Sequence, residues 1–165
     1  MIKFGFVLVL AGTSAGNADW AAAHGEKSLA PSGIDYSNAE QKPFGRASDP
    51  RRAKRTIRID MSDTMRFSPT GLEVRQNDTV RFIVRNSGKQ MHEMVLGTME
   101  ALKEHAALMR KHPGMEHDEP WMAHVAPGKT SELGWQFTKP GTYYYGCLIP
   151  GHFEAGMIGK VTVKP

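Results

Sequence analysis

From Thr56 onward, apolar and polar residues alternate in short runs. Ile57 and Ile59 alternate with Arg58 and Asp60, and Val80, Phe82 and Val84 with Arg81 and Arg85. Leu133, Trp135 and Phe137 repeat the pattern between Thr130 and Phe137. Successive strand side chains point to opposite faces, so a period of two predicts a sheet with one buried face. Further strands are expected around Leu72 to Arg75, Met91 to Leu96, Thr142 to Cys147 and Ile158 to Lys164. The stretches Phe67-Ser-Pro-Thr-Gly71, Asn77-Asp78, Asn86-Ser-Gly88 and Lys139-Pro-Gly141 supply the turns between them. About eight short strands punctuated in this way predict an all-β Greek-key sandwich.

One interval, residues 97–120, lacks that alternation. Met99 to Lys111 is rich in Ala, Leu, Glu and Lys, which are good helix formers. Thr98 suits the N-cap, Glu100 the first turn, and Arg110 and Lys111 the last, while Pro113-Gly114 stops the helix. Leu102, Ala106 and Met109 fall on one face, which predicts a helical insertion lying against the sandwich.

The chain before Thr56 has a different texture. Lys3 followed by the apolar run Phe4 to Ala11 and then small residues reads as an export signal spanning residues 1–23, cleaved near Ala23. Residues 24–55 carry Pro31, Gly33, Pro43, Gly45 and Pro50 with little periodic pattern, and are expected to form a flexible arm. Residues 56–165 then make one domain.

Composition narrows the functional classes. At 165 residues with 40% hydrophobic content there is enough for one packed core, and no apolar run is long enough to span a bilayer. Much of the basicity behind the net charge of +4 sits in Arg51-Arg-Ala-Lys-Arg55. No aromatic residues interleave with that cluster, so nucleic acid is not an expected partner. Glu93 and Glu154 form no recognisable catalytic pair, and no enzyme activity is expected; oxidation of a small reductant ranks last among the readings.

The candidate chemistry is concentrated in Cys147-Leu-Ile-Pro-Gly-His152-Phe-Glu-Ala-Gly-Met157, which contains the only cysteine. An exported protein with a single cysteine cannot pair it internally, and metal ligation would explain its presence. A thiolate, an imidazole and a thioether on one loop suit copper, whose one-electron sites take two histidines, a cysteine and a weak axial methionine. Pro150 and Gly151 bend the loop back, and His92, after the Asn86-Ser-Gly88 turn, is the best candidate for the second histidine.

His92 followed by Cys147-x4-His152-x4-Met157 resembles the cupredoxins, the type 1 copper proteins. The resemblance implies a Greek-key sandwich holding one copper, Cu(I) or Cu(II), with His92, Cys147 and His152 equatorial and Met157 axial. Asn86 would then match the bracing residue next to the site. The segments 61–69 (Met-Ser-Asp-Thr-Met-Arg-Phe-Ser-Pro), 92–97 and 150–157 are most similar to the periplasmic CopI-type cupredoxins of copper tolerance. The resemblance implies a periplasmic protein that binds and redox-cycles copper in copper tolerance. The alternative is a soluble electron carrier serving a redox protein such as a cytochrome.

Six of the ten methionines and five of the seven histidines lie between residues 91 and 124. His105, Met109 and His112 recur at i, i+4 and i+7 of the predicted helix, and Met115 and His117 follow within a turn. These five are candidate accessory ligands for additional Cu(I). His24, at the expected mature N-terminus, is a weaker one.

Overall fold

The computed structural model describes residues 34–113 and 118–165. The expected signal segment, the first part of the arm with His24, and Met115 and His117 lie outside the described residues. The strands are β1 (Arg46–Ala47), β2 (Arg55–Ser62), β3 (Arg66–Ser68), β4 (Gly71–Arg75), β5 (Thr79–Asn86), β6 (His92–Gly97), β7 (Met122–Val125), β8 (Thr130–Gln136), β9 (Gly141–Gly146) and β10 (Ile158–Lys164). One helix, α1 (Met99–Lys111), interrupts them between β6 and β7. Two five-stranded mixed sheets, ordered β1-β8-β5-β2-β3 and β4-β10-β9-β6-β7, form the sandwich.

The period-two segments behave as expected. In β5, Val80, Phe82 and Val84 are buried, and they meet Ile57 and Ile59 of β2 and Leu133 and Trp135 of β8 in the main core. The count is ten strands rather than about eight. The additions are the two-residue β1, β3 in a stretch expected to be a turn, and β7 beyond the insertion. All three are too short to show a period.

Residues 34–55 differ from the expected flexible arm. Phe44 stacks on Trp135 with ring centroids 5.1 Å apart, and the Trp135 indole N–H donates to the Phe44 carbonyl at 2.9 Å. Strand β1 pairs with β8, Arg46 opposite Gln136 and Ala47 opposite Trp135. Gly134 permits the approach, because a Cβ there would lie 2.0 Å from the Ser48 carbonyl oxygen. One aromatic anchor and one edge pairing dock this segment without any periodic pattern.

Helix α1 has the expected bounds. The Thr98 hydroxyl accepts the Ala101 N–H at 3.2 Å, satisfying one amide that the first turn leaves unpaired. Leu102, Ala106 and Met109 are buried against Val95, Met122 and Leu148 in a second apolar cluster. Strand β6 is therefore buried on both faces: Met94 and Leu96 face the main core, and Val95 lies beneath the helix. No helix among the described residues is long and apolar enough to cross a membrane.

Candidate metal centre

Strand β9 ends at Gly146, and Cys147 follows as the chain leaves the sheet. The Cys147 N–H donates to the Met157 carbonyl at 3.1 Å, and the Met157 N–H to the His152 carbonyl at 3.1 Å. The loop between them is a run of tight turns, with His152 N–H on Ile149 O and Ala155 N–H on Gly151 O. Gly151 and Gly156 hold φ of +91° and +87°, left-handed conformations that favour glycine. Cys147 and Met157 are thereby buried in the same core cluster.

His92, the first residue of β6, meets this loop from the neighbouring strand. Its Nδ1 lies 4.0 Å from Cys147 Sγ, and His152 Nδ1 lies 3.3 Å from the same sulfur. The two imidazole centroids are 4.9 Å apart. His92 is fully buried, whereas His152 keeps 8% of its surface exposed. Among the described residues, His92, Cys147 and His152 form a cluster whose ligand atoms all lie within 4.8 Å of one another. An ion about 2.0–2.3 Å from imidazole nitrogen and thiolate sulfur, the lengths that zinc makes to them, tolerates S···N separations up to about 4.3 Å. Both sulfur–nitrogen separations fall within that limit, as a shared metal ligand pair requires.

Burial shapes the electrostatics. It pushes the Cys147 thiol up to about 12, so without a cation the sulfur keeps its proton. Burial, and then the neighbouring His92, lowers the His152 pKa from the ordinary imidazole value. Both effects favour neutral Cys147 and His152 side chains until a cation arrives.

The polar surroundings add three residues whose roles the sequence did not reveal. Asp63, in the turn between β2 and β3, accepts a hydrogen bond from His92 Nε2 at 3.1 Å. The Lys89 amide, the largest influence, and His92 lower its pKa from the ordinary carboxylate value. Glu93 brackets the cysteine: its N–H donates to Cys147 Sγ at 3.5 Å, and its carboxylate accepts the Leu148 N–H at 2.8 Å. His124, opposite Glu93 in β7, contacts the other Glu93 oxygen at 2.8 Å and Asp118 on its far nitrogen at 3.1 Å. The Glu93 hydrogen bond is the main cause of its raised pKa. The only signal in the sequence was adjacency: Glu93 follows His92, and Asp63 lies in the quoted 61–69 segment.

Asn86 is buried and braces the approach to β6. Its amide donates to Gln90 O at 2.7 Å and Val125 O at 2.8 Å, and its side-chain oxygen accepts Gly88 N–H at 2.8 Å. Backbone hydrogen bonds reach the cysteine sulfur from Glu93 and Ile149. The helical candidates diverge: Met109 is buried in the second apolar cluster, His105 is half-buried, and His112 is exposed at the helix C-cap.

The sequence profile of copper binding proteins of the plastocyanin/azurin family matches residues 53–164. The chain belongs to this family. Copper is its resident ion, and an imidazole–thiolate–imidazole cluster fits that ion's donor preference. A copper-resistant cuproprotein CopI of Rubrivivax gelatinosus is 50% identical to this plastocyanin/azurin-family chain over 129 residues, 78% of either protein. The copper-resistant cuproprotein CopI of Pseudomonas aeruginosa is 34% identical over 158 residues, covering 78% of this chain and 87% of that one. Auracyanin B superposes with a TM-score of 0.62 at 24% identity, across 76% of this chain and 100% of that one, and shares the fold.

Proposed function

We propose that this protein holds one copper ion between His92, Cys147 and His152, with Met157 as the axial donor, and serves copper tolerance in the periplasm. The buried histidine–cysteine–histidine cluster carries the reading, since its ligand atoms already lie within 4.8 Å of one another. Such a donor set accepts both copper oxidation states, and a rigid sandwich keeps the ligands in place as the charge changes. The 50% identity with a protein named for copper resistance supports the physiological role. The amino-terminal charge-then-apolar pattern supports export. The role is one of binding and redox-cycling copper rather than turning over a substrate. A strain lacking the protein should lose copper tolerance, and expression of the wild type should restore it. Unchanged growth under copper stress would refute the physiological part.

A second reading rests on the placement of His152. His152 is 8% exposed while the other candidate ligands are fully buried, which makes it the ligand nearest solvent and the shortest path for an electron to a docked redox protein such as a cytochrome. Fast, salt-dependent electron exchange with such a partner would favour that role.

A further inference from the structure

We propose that Asp63 is a positioning residue for the metal centre, setting the tautomer of His92 and placing a negative charge behind it. The inference rests on His92 being a copper ligand. Three donors converge on the Asp63 carboxylate. Oδ2 accepts the Lys89 N–H at 2.8 Å, while Oδ1 accepts the Gln90 N–H at 3.2 Å and meets His92 Nε2 at 3.1 Å. An ionised carboxylate only accepts hydrogen bonds, so the proton in that last contact must belong to His92 Nε2. A neutral imidazole carries one N–H, which leaves the lone pair on Nδ1, the nitrogen 4.0 Å from Cys147 Sγ. The His92 ring is fully buried, while the Asp63 side chain that meets its Nε2 is 32% exposed.

The surrounding turn is built for this contact. A Cβ on Gly88 would lie 2.1 Å from Asp63 Oδ1, so glycine there is what lets the carboxylate reach the chain leading into β6. The Met65 N–H closes the turn on Ser62 O at 3.0 Å. Arg66 then donates to the Ala155 carbonyl at 2.8 Å, on the loop that carries the other three candidate ligands. One short hairpin therefore ties both ligand-bearing segments together. Its carboxylate faces the imidazole that lies outside the loop. A metal-bound imidazole whose other nitrogen donates to a carboxylate becomes a more basic ligand, which favours the higher-charged ion, Cu(II), over Cu(I).

The test combines nitrogen NMR of the metal-free protein with copper titration of wild type, Asp63→Asn and Asp63→Ala, alongside Cys147→Ser. Wild-type His92 should carry its proton on Nε2 before any copper is added. Asp63→Ala, which removes the acceptor, should weaken Cu(II) binding by about 10- to 100-fold. Asp63→Asn retains one oxygen for His92 and should hold copper more tightly than Asp63→Ala, with a reduction potential more positive than wild type. A His92 proton on Nδ1 would overturn the proposal. So would a folded Asp63→Ala with wild-type affinity, or an Asp63→Asn with an unchanged potential. If Cys147→Ser loses the thiolate-to-copper band while the Asp63 variants match wild type, only the role of Asp63 falls. If Cys147→Ser keeps the band, the ligand assignment beneath it falls.

Discussion

Two stretches of this chain are dense in copper-seeking side chains, and they use them differently. Residues 91–124 hold six methionines and five histidines, whereas the loop from Cys147 to Met157 holds one of each beside the cysteine. Yet the loop delivers Cys147, His152 and Met157 to one buried region, and among the described residues the longer stretch contributes only His92 to that cluster. Met94, Met109 and Met122 fill the apolar interior, where a flexible thioether packs well, and His124 pairs with Glu93 and Asp118. Convergence depends on backbone that turns back on itself rather than on ligand density. The helix serves the centre in another way. Leu148 belongs to its apolar cluster and Phe153 packs against it, while Arg110 forms an ion pair with Glu154 on the ligand loop.

If α1 is the outer wall of the loop, removing its central anchor should damage both. Leu102→Ala should cost about 2–5 kcal/mol in chemical denaturation and weaken copper binding as well. A destabilised variant with unaltered affinity would make the helix an independent appendage.

The buried thiol should make the loop respond to pH. Copper takes the thiolate, so binding releases the Cys147 proton, and that proton is held until about pH 12. His152, its pKa lowered, is already neutral above pH 7 and adds no proton there. Affinity, measured against a competing chelator corrected for its own protonation, should therefore rise about tenfold per pH unit between pH 7 and 9. A flat profile would mean that the sulfur is not a ligand.

A smaller change probes the far end of the loop. Met157→Leu preserves most of the packed volume while removing the thioether, so the spectrum and potential should change with copper still bound. An identical spectrum would remove Met157 from the ligand set. The smallest expected effect is none: replacing His105, Met109, His112, Met115 and His117 together should leave the copper stoichiometry at one. A second equivalent bound by wild type alone would show that the helical stretch also holds metal.

Much of this architecture was legible in the residues. The alternation in β2, β5 and β8 marks strands, and Thr98, the basic last turn and Pro113 bound the helix, because these signals are local. The ligand loop could be read for the same reason: its cysteine, histidine, methionine and glycines are contiguous. What escaped depends on distant contacts. Phe44 docks on a tryptophan 91 positions away, and Asp63 reaches His92 across a 29-residue separation. Glu93 looked like a charged strand residue beside a ligand. Its burial and its hold on Leu148 N–H appear only once β6 and the loop are packed together.

Optical titration with copper tests the buried site most directly, wild type beside Cys147→Ser at equal copper occupancy. One equivalent should give wild type a strong visible thiolate-to-copper band, and Cys147→Ser should show none. Retention of the band in that variant would contradict a site built on the Cys147 sulfur.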